Sequence, residues 1–453
     1  MWRPALRQRL PNDWRPPPIG RETAVLVLAL YLAALFVVGV AEDGWKAWGT
    51  FGVPQWTEPF SDMWSITSGW ECVRRNIDVV PNNPCDPWGR YANYPSLWML
   101  PAPLGLAADS ARYLGFATAV AFLASAISLL GAASWRAGVV FGLALCSPPV
   151  MLGVERGNAD LLIFAALVGA LWLLAASRAA SRVAAHALLL LLAMLKLFPA
   201  FAFPALLRQR RRWALARAAL VTAGFAAYLF ATRDEIQQIL DVLPEAVWAH
   251  YGAGVGVDAA AERLSPHLGA LAVLEIDWVH RTVELGVLAL GLAAGVLLAF
   301  RSRGRVPPPD DGGSRRERFQ VDAFVAGAGI FCGTFAAAEN WDYRLAFLLL
   351  TLPQLLWWAA RRDAAPLPFP RGAVACVLAT LWLSFPVPAY RSPLNDPWNS
   401  VMSYFAWEEL LNWLLFTYLV AGVLVTLAAS WSPARAPLGR RFQPARTVQR
   451  SLS

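Results

Sequence analysis

Residues 178–212 read RAASRVAAHALLLLLAMLKLFPAFAFPALLRQRRR, and how this stretch threads a membrane decides the fold. Arg178 and Arg182 precede the apolar run, and Arg208, Arg210, Arg211 and Arg212 follow it. Arginine-rich segments beside membrane spans stay cytoplasmic, so both flanks ask for the same side. One straight crossing would strand the second cluster outside. A bend at Lys196-Leu197-Phe198-Pro199 removes the conflict. Two limbs of about 12 residues, each about 18 Å long at the α-helical rise, then dip past the midplane and return. Irregular backbone at that depth is tolerated where it lines protein or a wet cavity. The expectation is a re-entrant hairpin near 183–206.

Working outward, apolar runs long enough to cross about 30 Å of hydrocarbon recur over 24–41, 112–133, 137–153, 159–176, 214–231, 283–300, 321–338, 343–360, 372–390 and 407–430. They are too long and too uniformly apolar for barrel strands, which alternate every second residue. The 453 residues are 57% hydrophobic and 15% charged, with mean hydropathy +0.44, which leaves no separate soluble domain. The predicted fold is an all-α polytopic membrane protein, a bundle of about 11–12 passes. Its domains are a basic cytoplasmic tail over 1–22, a membrane domain over 23–431 and a second basic cytoplasmic tail over 432–453. The start is not read as a cleavable signal, because Arg3, Arg7, Arg9, Arg15 and Arg21 lead straight into the apolar run Ala24–Ala41.

The net charge of +8 does not make a nucleic-acid partner. The arginines cluster between spans, at 208–212, 301–318, 361–362 and 435–450, as the positive-inside rule requires. Membrane lipid is the expected surrounding. With the hairpin counted as two passes, 42–111, 154–158, 232–282, 339–342 and 391–406 fall outside. The first outer loop is large, and its short, proline-broken run Leu97–Ala108 suits an interfacial helix. Cys72 and Cys85 share that loop, where a disulfide can persist, or stand as two free thiols. Cys146, Cys332 and Cys376 lie in apolar runs as small core residues.

Four polar islands interrupt the chain, and this topology opens all of them outward: Ser61-Asp62 with the loop after it, Glu155–Asp160, Lys196–Pro199 and Glu339–Arg344. An ionisable group at a helix centre costs roughly 2.5–3.5 kcal/mol on insertion scales. Several facing one chamber point to an active cavity. Asp62, just above the membrane, is a candidate general base for a hydroxyl; a helix cap or solvated loop acid is the competing reading. Gly157 and Asn158 permit a tight reversal, and Asp160 favours the start of the next helix. Arg156 must pair with Glu155, with Asp160 or with an anionic ligand. Lys196, one of two lysines with Lys46, must neutralise either a phosphate or an aspartate closing the turn. Asn340, Asp342 and Arg344 mark a later outer reversal as site residues or caps, while Trp341 and Tyr343 suit the interfacial belt. Asn93 and Tyr94 offer an acceptor or sugar contact, or ordinary turn chemistry. His250, His267 and His280 share an outer loop without ligand-like spacing, so no metal site is assigned.

ERGNAD at 155–160 opening an apolar helix, KLFP at 196–199 closing a later one on an arginine-rich loop, and an aspartate after the first span resemble a known group. They are similar to the polyprenyl-phosphate-sugar-dependent membrane glycosyltransferases of the GT-C fold, nearest to glycosyltransferase family 87, the alpha-mannosyltransferase-like proteins of bacterial envelopes. The resemblance spans about residues 22–430. It implies a sugar, mannose or another hexose, carried on a polyprenyl monophosphate. The acceptor is then a lipid-linked glycan at the outer face of the bacterial plasma (inner) membrane. Asp62 matches the family's catalytic aspartate, and Arg156 and Lys196 stand near the donor phosphate. Glu155, Asn158, Asp160, Asn340, Asp342 and Arg344 support them. The first loop departs from the family pattern, with Asp62-Met63-Trp64-Ser65-Ile66 where an Asp-x-x-x-Tyr is usual.

The resulting expectation is an inverting transfer without cofactor or metal, since cations already stabilise the departing phosphate. The rival from another class is a transporter or flippase using Asp62, Asp160 and Lys196 as an ion relay, but no paired halves are visible. A surface-polysaccharide polymerase or ligase with a diphosphate donor, and a structural scaffold, complete the field.

Overall fold

The computed structural model describes residues 19–41, 44–80, 83–91, 94–131, 133–209, 214–242, 250–257, 276–302, 314–337, 340–361, 365–384 and 397–431. Asn93, His267, Glu339 and residues 1–18 and 432–453 of the tails lie outside them.

The described chain is an all-α membrane bundle, its only β structure a two-residue antiparallel pairing of β1 (His250–Tyr251) with β2 (Asn340–Trp341). Six helices are long and apolar enough to cross a membrane alone: Gly20–Ala41 (α1), Ala108–Leu129, Ala214–Ala231, Trp278–Ser302, Arg315–Ala337 and Glu408–Trp431. The expected straight span over 137–153 is instead two helices, Trp135–Leu145 and Pro148–Arg156, bent by 55°. Pro148 and Pro149 explain the break, because proline lacks the N–H and its ring clashes with the preceding turn. Shorter apolar helices, including Ala159–Leu174 and Ala179–Leu195, fill the centre. Leu97–Ala108 is not an interfacial helix. It forms separate 3₁₀ turns, because Pro101 and Pro103 forbid a continuous amphipathic one.

Arginines define one end of the bundle. Arg21 Nη2 donates to the Leu130 carbonyl at 2.8 Å and Arg316 Nη1 to that of Ser128 at 2.8 Å. Arg315 Nη2 reaches the Trp172 carbonyl at 2.9 Å and Arg318 Nε that of Ala175 at 3.3 Å. Each places a cation on the unsatisfied carbonyls that end a helix, where the macrodipole favours it. The basic clusters are thus caps as well as topological signals.

The same contacts trace the hairpin. The helix Ala159–Leu174 has Asp160 at its start and the arginine-capped Trp172 near its end, about 18 Å apart at 1.5 Å per residue. Lys196, after Ala179–Leu195, meets Asp160 at 2.7 Å. Only 12 residues later Arg208 is back at the arginine end, donating to Asp322 Oδ1 at 2.5 Å and to the Arg318 carbonyl at 3.2 Å. The chain therefore turns at Lys196. The limbs are unequal in residues, however, and higher than two 12-residue limbs allow. The rising one is a 17-residue α-helix, about 26 Å long. The falling one, Phe198–Arg208, is 3₁₀ and covers about 22 Å with 11 residues at about 2.0 Å each. Lys196 consequently sits level with the Asp160 turn.

The falling limb is held by the central helix Arg315–Ala337. A Cβ on Gly329 would lie 2.2 Å from the Phe201 carbonyl oxygen, and one on Gly333 2.1 Å from the Phe201 ring. Small residues four apart admit this close approach, as in other membrane packings. On another side of the same helix Gly327 receives Phe347 and Leu350 of a second 3₁₀ segment, Asp342–Leu350. Both compact segments lead from the core to polar residues at the end opposite the arginines.

Candidate active site

Asp62 lies not in a loop but in the first turn of a helix, Ser61–Arg74. Phe60 enters that helix with φ +60° and donates its N–H to the Glu155 carbonyl at 2.9 Å. Cys72 and Cys85 form a disulfide, with Cα atoms 5.7 Å apart. It ties the helix to the segment 83–91. From there Arg90 makes two contacts to buried Asp86, at 3.2 and 2.8 Å, and donates to the Ser61 carbonyl at 2.7 Å. Its Nη1 stands 3.9 Å from Asp62 Oδ1.

The turn 155–160 supplies the other wall. Gly157 is left-handed, φ +56°, and its α-carbon faces Phe60, whose Cβ lies 2.9 Å from where a side chain would begin. Only glycine meets both demands. Asn158 caps the helix Ala159–Leu174 by accepting the Asp160 N–H at 2.8 Å, while its Nδ2 donates to Asp62 Oδ2 at 2.6 Å. Glu155, fully buried, accepts the Trp56 N–H at 2.9 Å and pairs with Arg156 Nε at 3.3 Å. Arg156 Nη1 is 3.7 Å from Asp62 Oδ1.

On the far side of Asn158, one carboxylate serves two cations. Asp160 Oδ1 meets Lys196 Nζ at 2.7 Å, and Asp160 Oδ2 meets Arg344 Nε at 3.2 Å. Arg344 also donates to Asn340 Oδ1 and lies over the Phe198 ring at 5.1 Å. Lys196 lies over the Tyr94 ring at 4.9 Å. Burial, and then the nearby Asp62 carboxylate, hold the Tyr94 phenol well above its ordinary range, so it stays protonated. Trp98 Nε1 donates to the Leu195 carbonyl at 2.8 Å and Trp70 Nε1 to that of Trp98 at 2.6 Å. These bonds seat the Asp62 helix over the hairpin apex.

Asp62, Glu155, Arg156, Asn158, Asp160, Lys196, Arg344, Asn340 and Tyr94 are thus brought together. Asp342 is not. Its electrostatic neighbours are Glu409 and Glu408 of the helix Pro397–Trp431, whereas the adjacent Tyr343 reaches Asn158. A 3₁₀ turn sends consecutive side chains to different sides. Sequence reasoning missed Arg90 and Asp86. The signal was their position just after Cys85, on the loop that a bridge to Cys72 must fold back onto Asp62. Among the described residues no group of three or more His, Cys, Asp or Glu is arranged to hold a metal.

Residues 93–311, just under half of the chain, match the family model of glycosyltransferase family 87. The matched stretch contains the 155–160 turn and Lys196, with Asp62 before it and Arg344 after it. No curated protein and no solved structure matches the chain.

Proposed function

We propose that the chain, which matches the glycosyltransferase family 87 model over residues 93–311 and carries several apolar membrane-length helices, is a multi-pass membrane glycosyltransferase of that GT-C-type family, and that its donor is a hexose, such as mannose, on a polyprenyl monophosphate. The acceptor is a lipid-linked glycan, used at the extracytoplasmic face of a bacterial inner membrane with both termini cytoplasmic. One observation carries the choice of donor. Asp160 offers one negative charge to Lys196 and Arg344, so this trio keeps one positive charge in excess. Lys196 and Arg344 keep 12% and 19% of their side chains exposed, so Asp160 does not seal either from a second anion. A phosphate monoester is an anion that both cations can grip.

Asp62 takes the acceptor hydroxyl proton. The freed oxygen attacks the anomeric carbon, and that carbon's bond to the phosphate oxygen breaks. Its electron pair leaves with the polyprenyl phosphate, where Lys196 and Arg344 stabilise the developing charge. Attack opposite the leaving group inverts the anomeric configuration. Asn158 stands between base and cations, donating to Asp62 and accepting the Asp160 N–H. The fixed ion pairs count against an ion relay, which needs carboxylates free to exchange partners.

The test uses purified protein in nanodiscs offered the same sugar on polyprenyl monophosphate, polyprenyl diphosphate or a nucleotide. Transfer from the monophosphate alone, with inverted product by NMR and full rate in excess chelator, is expected. Transfer from the nucleotide sugar, or a retained configuration, overturns the reading.

A further inference from the structure

We propose that Trp56, Trp64 and Trp88 form the subsite that seats a pyranose ring of the acceptor glycan beside Asp62. The proposal rests on the glycosyl-transfer reading above and adds where the acceptor sits.

The three indoles come from separate pieces of chain and converge on one place. Trp56 precedes the Asp62 helix, Trp64 follows Asp62 by two residues within it, and Trp88 lies on the disulfide-tied segment. Trp88 is the hub. Its ring centroid is 6.2 Å from that of Trp56 and 6.1 Å from that of Trp64, both edge to face. All three are half-buried, so part of each ring remains open.

Two arginines fix this wall to the candidate base. Arg90 lies over the Trp88 ring at 4.7 Å and Arg156 over the Trp56 ring at 5.1 Å. The same two guanidinium groups flank Asp62 Oδ1 at 3.9 and 3.7 Å. Interfacial-belt tryptophans face headgroups one by one; these face one another and the ions around Asp62.

A sugar fits what the wall offers. Indole combines an apolar face with a single N–H donor, and a pyranose combines an apolar C–H face with hydroxyl acceptors. The Nε1–H groups of Trp56 and Trp64 are buried without an acceptor. That is an unmet demand of the kind folded proteins seldom leave. A hydroxyl entering between the rings meets it. The order of groups also separates the two substrates. Indoles stand on one side of Asp62, and the surplus cations at Asp160 stand on the other, beyond Asn158. The anionic donor phosphate belongs to the second side, and the uncharged sugar to the first.

Steady-state kinetics on full-length protein in nanodiscs tests this with Trp88→Ala and Trp64→Phe, both checked by thermal melting. Acceptor KM should rise about tenfold or more in Trp88→Ala with donor KM unchanged, and Trp88→Tyr should recover most of the loss. A parallel rise in donor KM, or an acceptor KM that stays put in both variants, sinks the proposal. Saturation-transfer NMR with methyl α-mannopyranoside and methyl β-glucopyranoside then reads binding without turnover. Signal from at least one glycoside should persist in Asp62→Asn and vanish in Trp88→Ala. Signal unchanged in Trp88→Ala, or absent from the wild type, counts against the subsite. An active Asp62→Asn enzyme would instead overturn the proposed base and leave the subsite standing, so the two failures are distinct.

Discussion

The side-chain amide of Asn158 donates to Asp62 Oδ2 at 2.6 Å, and its orientation is not free, because its oxygen must accept the Asp160 N–H. One residue thereby caps a membrane helix and aims the candidate base. Replacing it should separate those two duties. Asn158→Ala loses both: kcat should fall about 100-fold, and stability by about 1 kcal/mol for the lost cap. Asn158→Asp keeps the cap acceptor but sets a second buried carboxylate against Asp62, so activity should vanish at neutral pH and the melting temperature should fall unless the pair takes up a proton. An active Asn158→Asp enzyme would show that Asp62 is not aimed this way.

Asp62→Asn preserves shape and removes the base. A loss of about 10²–10⁴-fold in kcat is expected, with donor KM and yield in the membrane unchanged. Near-normal turnover, measured with saturating acceptor, would eliminate Asp62 from the chemistry.

The cation pair on Asp160 makes a charge-counting prediction. Lys196→Ala or Arg344→Ala alone leaves Asp160 neutralised one to one, so the protein should fold and donor KM should rise about tenfold. Acceptor KM should stay unchanged in each. Removing both strands a buried carboxylate, costing about 3–5 kcal/mol, and the doubly substituted protein should fail to accumulate. Donor dependence unchanged in both single variants would mean the trio is structural.

Breaking the Cys72–Cys85 bridge tests how the segment beside Asp62 is held. Paired Cys72→Ser and Cys85→Ser changes should lower stability by about 3 kcal/mol on loop-closure grounds. Activity should fall with them, as Arg90 loses its station near Asp62. Arg90→Ala in the oxidised protein should reproduce the activity loss but not the melting shift. If the serine pair melts normally and turns over normally, the bridge holds nothing the site needs.

Charge made the hairpin legible in the sequence, since arginines flank Lys196 on both sides and cannot be left across the membrane. The height of its limbs was not legible. It depends on 3₁₀ winding around Pro199 and Pro204 and on room made by Gly329 and Gly333, residues that meet Phe201 only in the folded bundle. Asp62 stood out as an acid after the first span, yet its helix did not, because Ser61–Arg74 mixes serines, threonine and tryptophans without a clean apolar stripe. The ERGNAD and KLFP motifs foreshadowed the polar chamber. Their partner Arg344 was grouped with Asp342, and only the 3₁₀ turn reveals that the two side chains part company. Arg90 escaped notice because its only signal, a place just after Cys85, carries weight only once the bridge to Cys72 folds that loop back onto Asp62.

Asp160 gathers ligands from distant points in synthesis order. Lys196 arrives soon after it, and Arg344 only once the central helix Arg315–Ala337 has been made. During translation the nascent chain thus carries a one-to-one aspartate–lysine couple, and the second cation reaches that aspartate only when the later helices dock. The two-cation arrangement is therefore completed only at the close of biogenesis, together with the bundle that surrounds it.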